Sequence, residues 1–106
     1  MKKYIEIEPA NNANALKIEV YYNLGGINYF TGRVDERGYY ISVTPVERAR
    51  GMESFVAFTG AKQLIHPVKR QSAKAESIAH TKAETMLPAL IEYVAQRNGL
   101  VLKGGC

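Results

Sequence analysis

The sequence predicts an α+β protein, an antiparallel meander of four to five strands packed by one long C-terminal α-helix. Three observations predict it. Six of the seven tyrosines and all three phenylalanines precede residue 60. Every glycine up to Gly60 falls in that same part, and none follows until Gly99. From His66-Pro67 to Asn98-Gly99 the chain is glycine-free and rich in Ala, Lys, Glu and Gln, all good helix formers. The expected layout is a β-meander over about residues 3–60, a helix over 68–98 and a tail over 99–106. At 106 residues this is the size of one domain.

Residues 4–8 alternate, with Ile5 and Ile7 on one face, and Pro9 is expected to close this strand. Asn11-Asn12-Ala13-Asn14 has the composition of a loop. Residues 16–22 form the clearest strand, with Leu16, Ile18, Val20 and Tyr22 on one face and Lys17, Glu19 and Tyr21 on the other. Asn23-Leu24-Gly25-Gly26 contains residues that tolerate positive φ, which lets the chain reverse. Residues 27–34 then read as a strand, with Gly32 marking a bulge or a close approach. Asp35-Glu36-Arg37-Gly38 fits a type I hairpin turn ending in a left-handed residue. Residues 39–44 return with Tyr39, Ile41 and Val43 on one face and Tyr40, Ser42 and Thr44 on the other. Pro45 cannot donate to a ladder, so the strand is expected to end there or lie at an edge. Residues 46–51 read as a charged connection and 52–59 as a further strand.

Residues 61–67 fit either a last strand or a helical turn. The residue before Pro67 is biased away from helix, so the long helix is placed after it. Ala75, Ala79, Ala83, Met86, Leu90 and Val94 recur at helical spacing, and Ile78, Leu87 and Ile91 widen the stripe. This stripe is expected to share the core with Leu16, Ile18 and Val20; left uncovered, it would serve as a homodimer seam. Asn98-Gly99 is a good C-terminal cap, with Leu100 folding back on the last turn. Pro88 conflicts with a continuous helix. The alternatives are one helix kinked at Pro88 and two helices, with Thr85 capping the second.

Little of this composition points to chemistry. His66 and His80 lie on different elements, and the only cysteine, Cys106, is terminal, so neither a metal site nor an intrachain disulfide is expected. His80 lies four residues from both Glu76 and Glu84, the spacing of a helix-surface pair. Asp35 is the only aspartate and has a turn to form. Gly25-Gly26 lacks the Lys-Ser/Thr of a phosphate loop, and no serine sits in a nucleophile elbow. The expectation is therefore a protein that is not an enzyme and needs no cofactor. No apolar run reaches the roughly 18 residues of a membrane helix, and Glu6, Glu8 and Pro9 interrupt any signal sequence after Met1-Lys2-Lys3. A cytoplasmic protein without a membrane partner is expected.

What remains is a mildly basic surface, with a net charge of +4. Arg48 and Arg50 follow the fourth strand, while Lys62, Lys69, Arg70 and Lys74 bracket the start of the helix. Cations there oppose the helix dipole, a small cost that invites a functional reading as a patch for phosphate or an acidic partner surface; the alternative is a solvated polar face. Tyr21 and Tyr40, with Tyr29 or Phe30, fall on the sheet face away from the aliphatic one. Beside basic residues they suit stacking on bases or anchoring a protein interface. The bland alternatives are that the helix covers that face or that the tyrosines are cross-strand pairs.

The stretch Tyr21-Tyr22-Asn23-Leu24-Gly25-Gly26-Ile27-Asn28-Tyr29-Phe30-Thr31-Gly32, followed by Arg37-Gly38-Tyr39-Tyr40-Ile41-Ser42-Val43-Thr44-Pro45-Val46-Glu47, resembles a family of short uncharacterised proteins from phages, plasmids and integrative elements of Firmicutes. The resemblance spans about residues 17–75. It implies a mobile-element setting, in which small non-enzymatic proteins often inhibit host defence machinery, CRISPR nucleases included. The implied partner is a host protein or nucleoprotein; the resemblance brings no functional residues with it, and the candidate contacts come from the surface reading, Tyr21, Tyr29 and Tyr40 as anchors with Arg48 and Arg50 at the rim. The alternative is sequence-independent nucleic-acid binding, with Lys62, Lys69, Arg70 and Lys74 on phosphates.

Overall fold

A computed structural model of the chain describes residues 2–56 and 58–103. It is α+β: a curled antiparallel sheet packed against one C-terminal helix. Strand β1 (Lys2–Ala10) pairs with β2 (Ala13–Asn23), and β2 pairs with β5 (Gly38–Ala49). On its far side β5 carries two strands end to end, β7 (Ala61–His66) against residues 39–43 and β6 (Met52–Phe55) against residues 46–49. The meander is thus interrupted, because β7 returns beside β5 and not outside β6. A separate two-stranded ribbon, β3 (Gly26–Ile27) and β4 (Val34–Asp35), projects between β2 and β5. Helix α1 spans Ala73–Asn98.

Several expected boundaries move, each for a local reason. Pro9 does not end β1, because β1 is an edge strand and the ladder is already irregular between Glu6 and Ala10. Residues Asn11 and Asn12 take positive φ (45° and 72°), making a two-residue reversal between Ala10 and Ala13 where a longer loop was expected. Arg50 and Gly51 repeat this geometry between β5 and β6 (φ 54° and 77°), so residues 46–49 are strand and not connection. Pro45 sits inside β5, where the partner on one side changes from β7 to β6. The ladder is broken there in any case, and a missing N–H is tolerated. Residues 61–66 are strand, which resolves the ambiguity against a helical turn.

The core lies between one sheet face and the helix. Leu16, Ile18, Val20, Ile41, Val43 and Ile65 meet Ala75, Ala79, Ala83, Leu87, Ile91 and Val94. The helix stripe is rotated from the expected one. Leu87 and Ile91 are buried, while Met86 and Leu90 are only partly buried and Ile78 is exposed. The alanines at the N-terminal half let the helix approach the sheet closely.

Ser72 caps the helix, its Oγ accepting from the Ala75 N–H at 3.0 Å, so the helix begins five residues later than expected. Gly99 takes the left-handed conformation (φ 66°), and the Leu100 N–H donates to the Ala95 carbonyl at 2.8 Å, closing the end as the sequence predicts. The chain beyond is not a loose tail. Glu8 N–H donates to the Val101 carbonyl and Lys103 N–H to the Glu6 carbonyl, covering part of the β1 edge. Cys106 lies outside the described residues.

Pro88 is internal to one continuous helix, and Thr85 is helical, its Oγ1 donating to the Thr81 carbonyl at 3.3 Å. The two-helix alternative does not hold. Because Pro88 is solvent-exposed, Pro88→Ala removes nothing from the core and gives the Glu84 carbonyl a donor. It is expected to stabilise the protein by about 1 kcal/mol or more, read as a raised urea midpoint. Destabilisation would show that the proline shapes the packing of the helix on the sheet.

Candidate functional site: an exposed aromatic arm

The sequence between β2 and β5 reads as a strand because Tyr, Phe, Thr and Val favour extended backbone. Asn28 overrides that preference. Its Oδ1 accepts from the N–H groups of Phe30 and Thr31, at 3.0 and 3.2 Å. Its main-chain N–H donates to the Arg33 carbonyl and its carbonyl accepts from Gly32, both at 2.7 Å. Gly32 takes φ 71°, and the Thr31 hydroxyl accepts from the Arg33 N–H. Side-chain capture of neighbouring backbone groups turns a would-be strand into a closed tip. The expected strand over residues 27–34 is therefore a hairpin arm.

The base of the arm is equally tied. Asn23 Oδ1 accepts from the Gly25 N–H at 2.7 Å. Gly25, at φ 80°, lies against the backbone of Asp35 and Arg37. Arg37 donates to the carbonyls of Leu24 and Lys69 at 2.9 and 3.3 Å, joining the arm to the segment before the helix. Lys62 Nζ pairs with the Asp35 carboxylate at 3.0 Å. Asp35-Glu36-Arg37-Gly38 thus joins the arm to β5 and does not close a hairpin between sheet strands.

This scaffold holds apolar side chains in water. Tyr29 is 90% exposed and Phe30 is 100% exposed, and Leu24, Ile27 and Val34 are also exposed. A hydrogen-bonded arm carrying five exposed apolar side chains, two of them aromatic, is a candidate recognition surface.

The structure divides the residues expected to form the site. Tyr21, Tyr40 and Lys62 come together on the sheet face opposite the helix. Helix α1 leaves that face uncovered, but the tyrosines still form a cross-strand pair: centroids 5.9 Å apart, rings 16° from parallel. Tyr40 is buried and its hydroxyl donates to the Glu36 carbonyl, so it is unavailable for stacking on a ligand. Tyr29 stands free on the arm. Arg48 and Arg50 lie at the far end of β5, eight and ten residues from Tyr40, so they rim no patch with it. Arg48 instead covers the Tyr4 ring, 3.7 Å from its centroid, beside Glu53, which binds both Tyr4 and Lys17. Hydrogen bonds from Lys17 and then Tyr4 lower the Glu53 pKa, and the hydrogen bond to Glu53, ahead of desolvation and the Glu53 charge, raises that of Tyr4. Lys69 and Arg70 are exposed near the arm base, and Lys74 is exposed in the first turn of the helix. His80 pairs with Glu76 at 3.8 Å, as its spacing predicts.

Sequence reading missed Leu24, Ile27 and Val34 as surface residues, and Arg33, Tyr93 and Arg97 altogether. The usable signal was Asn28 four residues before Gly32, a turn pattern that outweighs four strand-forming neighbours.

Partial burial, then the nearby Asp35 charge, pushes the Tyr21 hydroxyl up to about 12 from its ordinary 10.0. The folded state thus keeps a proton that the unfolded chain loses. The resulting stability is complete below pH 10 and lost as pH rises from about 10 to about 12. Denaturation midpoints should fall more steeply over that window in the wild type than in Tyr21→Phe. Equal slopes would contradict this assignment.

Among the described residues no three His, Cys, Asp or Glu side chains converge as a metal site, and no helix is long and apolar enough to cross a membrane. Compared with protein-family models, with curated proteins and with solved structures, the chain matches none.

Proposed function

We propose that this is a non-enzymatic binding protein that docks on a protein partner through its arm. The observation that carries this is the hydrogen-bonded tip presenting Tyr29 and Phe30 to solvent. Aromatic side chains dominate interface energetics, and a tip already held in shape loses little entropy on binding. The apolar surface of the arm exceeds its charge, since only Arg33 is cationic at the tip, and this favours a protein over nucleic acid. Arg33, Lys69 and Arg70 near the arm suit an acidic rim around the partner's apolar pocket. In the mobile-element setting that the sequence resemblance implies, the partner would be a host defence protein or nucleoprotein in the cytoplasm, bound and inhibited in the manner of an anti-CRISPR.

The test is capture from nuclease-treated Firmicute lysate by the wild type and by a Tyr29→Ser/Phe30→Ser double variant. A stoichiometric protein retained by the wild type and lost by the variant supports the proposal. Capture of nucleic acid alone, released by salt and indifferent to the variant, would replace it with backbone binding through Lys62, Lys69, Arg70 and Lys74. Capture of a second copy of the chain alone would make the arm a homodimer contact.

A further inference from the structure

Beside the arm, a trough of about 530 Å³ runs between β7 and the C-terminal half of the helix, lined by Arg33, Lys62, Gln63, Leu90, Tyr93 and Arg97, with Gly60 and Ala61 at its edge. Its walls are fixed. Asn98 binds Thr59 reciprocally, its Oδ1 accepting from the Thr59 N–H at 3.1 Å and its Nδ2 donating to the Thr59 carbonyl at 2.8 Å. A Cβ on Gly60 would lie 2.7 Å from the Val43 carbonyl, so this turn sits tightly on β5.

The charge of the trough is one-sided. Three of its lining residues are cations and none is a carboxylate. Lys62 is neutralised by Asp35. The Arg33 guanidinium has no hydrogen-bond or ion-pair partner among the described residues. Arg97 donates at 2.7 Å only to the neutral Tyr93 hydroxyl. Two arginines without a carboxylate partner therefore line one space, and the planar fork of each guanidinium suits phosphate oxygens. At the helix C-terminus Gly99 and Leu100 donate to the Gln96 and Ala95 carbonyls, which reduces the partial negative charge near Arg97. The remaining lining includes the half-exposed Tyr93, Leu90 and Gln63.

We propose that this trough binds a phosphate monoester carried on a flat ring, the chemistry of a nucleotide. Arg33 and Arg97 bind the phosphate dianion, Tyr93 stacks on the ring, and the Gln63 amide meets its polar edge. A free nucleotide and the 5′-phosphorylated end of a single strand share this chemistry. The trough shares Arg33 with the rim proposed for the arm but does not include Tyr29 or Phe30, so the Tyr29→Ser/Phe30→Ser variant, which should keep nucleotide binding, and Arg97→Gln, which should keep partner capture, separate the two readings.

The experiment titrates AMP, adenosine and a short oligothymidylate, with and without a 5′-phosphate, into the wild type, Arg33→Gln, Arg97→Gln and Tyr93→Ala. All three side chains are exposed, so the variants should keep the wild-type melting temperature. AMP is expected to bind about tenfold or more tightly than adenosine, and each arginine variant to lose about tenfold, the typical worth of a charge-assisted hydrogen bond. A 5′-phosphorylated strand much tighter than AMP assigns the site to strand ends, whereas equal affinity assigns it to free nucleotide. Adenosine binding as well as AMP, affinity indifferent to both arginines, or binding of neither phosphorylated probe would overturn the proposal.

Discussion

Gly38→Ala is expected to destabilise the protein by about 3 kcal/mol or more, combining left-handed strain with overpacking. Gly38 opens β5 at φ 153°, where an L side chain is strained. A Cβ there would lie 2.6 Å from the His66 carbonyl oxygen and 2.8 Å from the Pro67 Cα, both backbone atoms that cannot swing aside. The residue pairs with Asn23 across β2 and adjoins the bulge where β7 leaves β5. The clash thus falls where the arm, the sheet and the approach to the helix meet. Denaturant midpoints at constant m-value report the effect. A loss below half a kcal/mol would show that the β7 end yields and that the arm base is not rigid.

Ile41→Ala is expected to cost about 3 kcal/mol, within the range for large-to-small core substitutions, and Leu90→Ala only about 1. Ile41 is fully buried in β5, with Val20 across on one side and Gln63 on the other, and it faces the helix. Its neighbours are strands held by ladders on both sides, so the cavity cannot readily collapse. Leu90 lies at the margin of the helix stripe, partly in water, although helical spacing alone places it with Val94. Equal losses at the two sites would mean that the helix is rotated from the observed packing.

The contrast between these residues shows what the sequence carried. Strict alternation over Leu16, Ile18 and Val20, and over Tyr39, Ile41 and Val43, names the core face, because the helix covers only one face of this sheet. The glycine-free stretch and Asn98-Gly99 name the helix and its end. Periodicity cannot choose between adjacent lines on a helix flank, so Leu90 was read as core while Ala95 went unremarked. Strand ends were hidden wherever tertiary pairing overrode a local breaker: Pro9 at an edge, Pro45 at a change of partner. Of the proposed arm surface, the sequence names only Tyr29, with Phe30 beside it. Tyr21 and Tyr40 have the right face, but their mutual stacking consumes them. Arg48 and Arg50 are close to Tyr40 in sequence yet a strand's length away in space. The arm escaped because its identity rests on one side chain, Asn28, outcompeting the extended preference of its neighbours.

The claim that the arm tip is the contact surface is tested most directly by photo-crosslinking. A photoreactive phenylalanine analogue is placed at position 30 and, separately, at position 78, an exposed helix position that is not part of the arm. Both proteins should retain the wild-type melting temperature. The account predicts that position 30 crosslinks to a single protein partner at a yield that unlabelled wild type competes away, while position 78 gives none. Crosslinking at position 78 but not at position 30 would contradict it.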